Sequence, residues 1–165
     1  MRLFRPILAL AVLPMCVPAA AQAGERELLE GIKQANWPVV KQETEQLSSA
    51  GNAWGLYMKA AFIGGILCQD ATSPCKPIPG FEMDRKAAGQ YLLAAAEKGE
   101  QQAFDYVAFG YERGLWGLPV DREAAIAWSL KGLHLMDERS ASRYYVLTGL
   151  KRGSPLPGAH FGSRQ

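Results

Sequence analysis

Residues able to do chemistry are few in this chain, and they are scattered. Histidine occurs only at His134 and His160, and neither stands at a zinc-ligand spacing from other donors. No serine sits in a nucleophile-elbow pattern, and no glycine-rich phosphate loop is present. Glu97-Lys98-Gly99-Glu100-Gln101 brings two carboxylates close in sequence. The stretch is polar throughout, however, and reads as a solvated turn rather than an acid/base pair. No catalytic residue, metal ligand or cofactor site is assigned. What remains is Cys68 and Cys75, seven apart in a proline-rich stretch. No histidine lies near them, and their spacing is not that of a two-residue redox motif.

The amino terminus suggests the redox setting of that pair. Arg2 and Arg5 give a positive start, Ile7 to Val17 is apolar, and Ala21-Gln22-Ala23 supplies small residues before a cut. The apolar run is interrupted by Pro14 and falls well short of the about 20 residues a membrane span needs. A signal peptide over 1–23 is therefore expected, with periplasmic or secreted localisation and no membrane span afterwards. Removing 23 of 165 residues leaves 142, a single-domain length. Loss of Arg2 and Arg5 takes the basic count from 18 to 16, level with the 16 acidic residues. A neutral chain has no bulk attraction for nucleic acid or anionic lipid. In an exported chain Cys68 and Cys75 read as one disulfide, a metal or redox pair being the alternative.

Apolar spacing then sets the elements. Ala103, Val107, Ala108 and Tyr111 share one helix face. Gly114 can close that helix, because glycine accepts the left-handed conformation at a helix end. After Trp116 to Pro119, Asp121 stands as N-cap to a second helix carrying Ala124, Ala125 and Trp128. Helix, short turn and helix make an antiparallel pair. Asp84-Arg85-Lys86-Ala87-Ala88 with Tyr91 repeats Asp121-Arg122-Glu123-Ala124-Ala125 with Trp128, 37 residues earlier. Gly51 precedes Gly99 by 48 and Phe62 precedes Tyr111 by 49, a one-residue ambiguity in the first helix. Small residues would allow close helix approach, and Tyr91, Tyr111 and Trp128 would fill the core.

The stretch from Ala95 to Gly132 resembles a Sel-one-like repeat, a relative of the tetratricopeptide repeat. The resemblance rests on Ala95-Ala96, Gly99, Ala103, Val107-Ala108, Tyr111, Gly114, Gly117-Leu118-Pro119-Val120, Asp121, Ala124-Ala125 and Trp128. Val107-Ala108 in place of Leu-Gly, Leu115-Trp116 before Gly117, and Gly132 in the closing pair depart from the pattern. The resemblance implies an all-α fold, a short right-handed α/α solenoid of antiparallel helix pairs, and covers about residues 36–153. Over 24–153 the expected parts are a half-repeat 25–49, a repeat 50–94 with an inserted loop 66–81, a repeat 95–133 and a capping helix 139–152. The cap register sets Val146, Leu150 and Gly153 against Val107, Tyr111 and Gly114, and 154–165 is a flexible tail.

In such arrays the first helix of each pair lines a concave face. The resemblance therefore implies a binding surface of Gln102, Asp105, Phe109, Glu112 and Arg113. Leu56, Ala60 and Ile63 would extend it on one side, and Tyr144, Thr148 and Lys151 on the other. Exposed aromatic and aliphatic groups fringed by charge suit a protein or peptide partner. The function implied is that of a non-enzymatic interaction module in the cell envelope, an adaptor, scaffold or immunity-type binder. The alternative is a cell-wall or β-lactam-acting enzyme, by analogy with cysteine-rich repeat relatives that carry a disulfide in every repeat.

Overall fold

The computed structural model describes residues 19–67, 76–135 and 137–154. Cys68, Cys75 and His160 lie outside them, as do residues 1–18 of the expected signal and 155–165 of the expected tail. Among the described residues the secondary structure is all helical: α1 (Ala19–Lys33), α2 (Trp37–Ser49), α3 (Ala53–Ile63), α4 (Arg85–Glu97), α5 (Gln101–Arg113), α6 (Arg122–His134) and α7 (Glu138–Thr148). Each helix packs on the next in the chain, and α5 also touches α7.

Local chemistry starts and stops these helices. Asn52, Asp84, Asp121 and Asp137 each accept a hydrogen bond from the backbone N–H three residues on, satisfying a donor that the first turn leaves free. At the other end of α5, Gly114 adopts φ +67°, the left-handed closure expected of it. The one-residue ambiguity in α3 is a real difference in length. Its N-cap Asn52 stands 48 before Glu100, while the left-handed Gly65 stands 49 before Gly114. The cap register is corrected. Helix α7 is closed by left-handed Gly149, not Gly153, and Val146 is 77 % exposed while Tyr144 is 1 % exposed. The buried apolar residues of α7 are Tyr144 and Leu147, on the side that packs on α5 and α6.

Where a second helix meets the next first helix, small residues set the distance. Leu47 faces Gly55, Ala95 and Ala103 are both fully buried, and Gly132 faces Ser140. In each case the two positions are eight residues apart. A Cβ on Gly55 would run into Leu47 Cβ, and one on Gly132 into Ser140 Oγ. One partner can be large only where the other has no side chain.

The core holds Leu28, Val40, Phe62, Leu92, Val107 and Phe104. Burying each such side chain is worth about 1.5–3 kcal/mol. Tyr91, Tyr111 and Trp128, expected to fill this core, are only half-buried and pack at its margin. The insertion contributes more than a loop would. Ile78 and Phe81 are buried, and the Phe81 ring lies 4.7 Å from that of Phe62.

Trp116 ties the α5–α6 turn to the preceding helix pair. Its Nε1 donates to the Gly64 carbonyl at 3.0 Å, and its ring meets Tyr106 and Phe109 edge-on at 6.1 and 6.2 Å. Its backbone is held at φ +53°, a conformation that disfavours a bulky residue. The cost, about 1–3 kcal/mol, is sustained by this packing. A Cβ on Gly89 would clash with the Trp116 carbonyl oxygen, so α4 needs glycine there for space.

The α6–α7 crossing yields a directional test. Gly132→Ala gains helix propensity of about 1 kcal/mol but forces a methyl into Ser140, so melting temperature should fall. Ser140 Oγ is buried without a hydrogen-bond partner among the described residues, so Ser140→Ala should hold or raise the melting temperature by relieving both defects. A stabilised Gly132→Ala would show that the crossing is not close-packed.

Candidate functional site on helices α5 and α7

Two turns of α5 place Asp105 and Glu112 on one face, seven residues apart. Across from them α7 projects Arg143. Its Nε donates to Asp105 Oδ1 at 2.7 Å and its Nη1 to Glu112 Oε2 at 2.6 Å. The guanidinium carbon lies 4.6 Å from the centre of the Phe109 ring. A planar fork that is always charged suits this task, and a lysine ammonium could not bridge both acids in the same way. Burial opposes the charge on Arg143, but the bonds and charges of Asp105 and Glu112 prevail and raise its pKa. Asp105 is 8 % exposed, so the pair is desolvated enough to matter.

One turn before Arg143 stands Arg139, which makes no hydrogen bond or ion pair among the described residues. With Ser142, Val146 and the clamp residues it lines a groove of about 290 Å³. On its other side a second groove, about 420 Å³, runs past Glu138, Ala141, Tyr145 and Arg152. Arg152 reaches Ser142 Oγ at 3.4 Å. Nearly all of this polar machinery is satisfied within the protein. Arg139 and the apolar Val146 are left facing out.

The expected binding residues are only partly gathered here. Gln102, Arg113 and Lys151 are exposed, and Phe109 and Glu112 are half-buried under Arg143. Leu56, Ile63 and Tyr144 were expected on the open face, yet they are 7 %, 8 % and 1 % exposed. Helix α3 turns Leu56 and Ile63 into the core because α4 and the 76–81 segment cover it, and Tyr144 is buried on the side of α7 that packs on α5 and α6. Ala60 is fully buried as well, and Thr148 bonds back to the Tyr144 carbonyl at 2.8 Å. Asp105, expected on the same open face, is buried instead and consumed by Arg143. Sequence reading passed over Arg139 and Arg143, although four-residue spacing opposite Asp105 and Glu112 is a usable signal. The misplaced cap register hid it.

A further groove of about 380 Å³ lies between Phe104, Trp128, Lys131, His134 and Leu135. Lys131 Nζ sits 3.8 Å over the Trp128 ring and closes its open face. His134 is exposed at the rim. Among the described residues no three His, Cys, Asp or Glu side chains gather closely enough to hold a metal ion. No described helix is long and apolar enough to cross a membrane.

The chain matches no family model, no curated protein and no solved structure.

Two substitutions separate packing from display. Tyr144→Ala should cost about 3–5 kcal/mol, as for a buried aromatic, read by denaturant unfolding. Arg143→Ala should cost about 2–3 kcal/mol by stranding Asp105, and Arg143→Lys should recover less than half of that loss. A Tyr144→Ala protein as stable as wild type would put that ring outside the core.

Proposed function

We propose that this chain is an exported protein-interaction module of the cell envelope, a right-handed α/α solenoid of Sel-one-like repeat type, binding a protein segment along the α5–α7 groove. It acts without catalysis, as an adaptor, scaffold or immunity-type binder. Support for the repeat reading comes from the recurrence of N-caps at Asp84 and Asp121. Close crossings eight residues apart recur at Leu47/Gly55 and Gly132/Ser140, and at the same spacing Ala95 and Ala103 of α4 and α5 are both fully buried.

One observation carries the choice of surface. Val146 is the most exposed of the large apolar residues described, at 77 %, and it borders the same groove as unpaired Arg139. An apolar contact beside an uncommitted guanidinium matches a partner segment that pairs an aliphatic side chain with a carboxylate. The clamp beneath is already paired, Arg143 with Asp105 and Glu112 and Arg113 with Glu112, so it supplies rigidity and not affinity.

Mature protein used as bait in envelope extract should retain a partner that Arg139→Glu and Val146→Asp each release. Purified components should show Kd weakened by about tenfold or more for each variant, with melting temperatures within a few degrees of wild type. A partner that binds both variants like wild type overturns the assignment of this surface.

A further inference from the structure

At the amino-terminal end of the described fold lies an acid without a partner. Glu43 of α2 is 6 % exposed, yet it makes no hydrogen bond or ion pair among the described residues. Burial first, and the neighbouring Glu27 second, push its carboxyl above the ordinary value. Its carboxylate oxygens still reach solvent at the edge of this packing, so the charge is tolerated, and a cation beside it would be favourable.

The α1 backbone passes it at Gly24. A Cβ built on Gly24 would lie 3.2 Å from Glu43 Oε2 and 3.3 Å from Leu47 Cδ2. The next residue is fixed, because Asn52 Nδ2 donates to Glu25 Oε1 at 2.8 Å. Gly24 is also the residue that the Ala21-Gln22-Ala23 pattern would make first in an exported chain.

We propose that removal of residues 1–23 creates an ion pair between the new α-ammonium of Gly24 and the Glu43 carboxylate, so that processing completes this end of the fold. The inference rests on the export reading above and is independent of the α5–α7 groove. Hydrolysis of the Ala23–Gly24 peptide bond by a signal-removing protease consumes one water. It leaves a carboxylate on Ala23 and an amine on Gly24, largely protonated at neutral pH. Before the cut, the Gly24 nitrogen is a neutral amide within α1 and carries no charge to offer. After it, rotation about the Gly24 Cα–C bond swings the amine into the tetrahedral position where a side chain would start. That is the position 3.2 Å from Glu43 Oε2, and glycine leaves it empty.

The charge pattern of α1 agrees. As a helix from Ala19, it has no acidic residue in its first turn. Begun at Gly24 it opens Gly24-Glu25-Arg26-Glu27, with carboxylates at the positive end of the helix, where they are favourable. They also offset the repulsion between that end and the new ammonium.

The test uses the full chain, expressed in an exporting host and recovered from the envelope. Intact mass should show Gly24 as the first residue, and any other start overturns the proposal. The α-amine is then acetylated near neutral pH, where lysines stay protonated, in wild type and in Glu43→Gln. Acetylation should lower the wild-type melting temperature by about 3 °C or more and that of Glu43→Gln by much less. An equal effect in both backgrounds, or none in wild type, overturns the ion pair. Should Glu43→Gln fail to fold, Glu43→Asp serves as the second background, with the carboxylate drawn back and the acetylation effect reduced. Partner binding measured on the same protein reports on the groove separately.

Discussion

Close approach of one helix pair to the next is the constraint on which the rest of this structure depends. At Leu47/Gly55, Ala95/Ala103 and Gly132/Ser140 the combined side-chain volume is kept small. Interiors are packed so tightly that a single methylene is felt. The helices therefore meet nearly backbone to backbone, and the larger apolar groups are displaced to either side. Phe62, Phe81 and Leu92 gather on one side of α3 and α4, and Phe104 and Val107 on α5. Ser129 and Ser140 are buried, and among the described residues neither hydroxyl has a hydrogen-bond partner, a penalty carried by a crossing that leaves room only for small side chains opposite Gly132.

Two long-range ties set the arrangement of the first helices of each pair. Trp116 fixes the α5–α6 turn against Gly64 and the α4 glycine, at the expense of a left-handed backbone. Arg143 fixes α7 against α5 by satisfying two acids with one fork. Between them runs a row of rings, Tyr57 to Tyr106 to Trp116 to Phe109, ending under the Arg143 guanidinium. The surface that a partner would meet is thereby narrowed. Asp105, Glu112 and Arg143 are occupied with one another, and what the groove beside them leaves outward is Arg139 and Val146. A rigid, internally satisfied platform with a few free groups favours selective binding, since little ordering remains to be done on association.

The amino-terminal end shows a different balance. Lys59 is a cation with a settled place, bonded to Glu45 at 2.6 Å and lying 4.8 Å from the Tyr91 ring centre. Burial opposes its charge, yet those contacts raise its pKa. Glu43, on the same helix as Glu45 and two residues earlier, has no such cation among the described residues. The contrast between two acids on one helix makes Gly24 a point of chemical interest.

By itself the sequence determined the helices, because their signals are local. Asp84 and Asp121 as N-caps, Gly114 as closure and the spacing of Ala103, Val107 and Ala108 all act within a turn or two of chain. It determined less about α7, where Tyr144 and Val146 are both apolar and two residues apart. Only contact with α5 and α6 decides which of them is buried. The site lay further from view. Asp105, Glu112 and Arg143 are ordinary surface types in sequence, and their joining depends on a contact between helices more than thirty residues apart. The burial of Leu56 and Ile63, the half-exposure of Tyr111 and the left-handed Trp116 were likewise settled by neighbours distant in the chain. Periodicity tells which residues share a face, but the face that becomes interior is chosen by what packs against it.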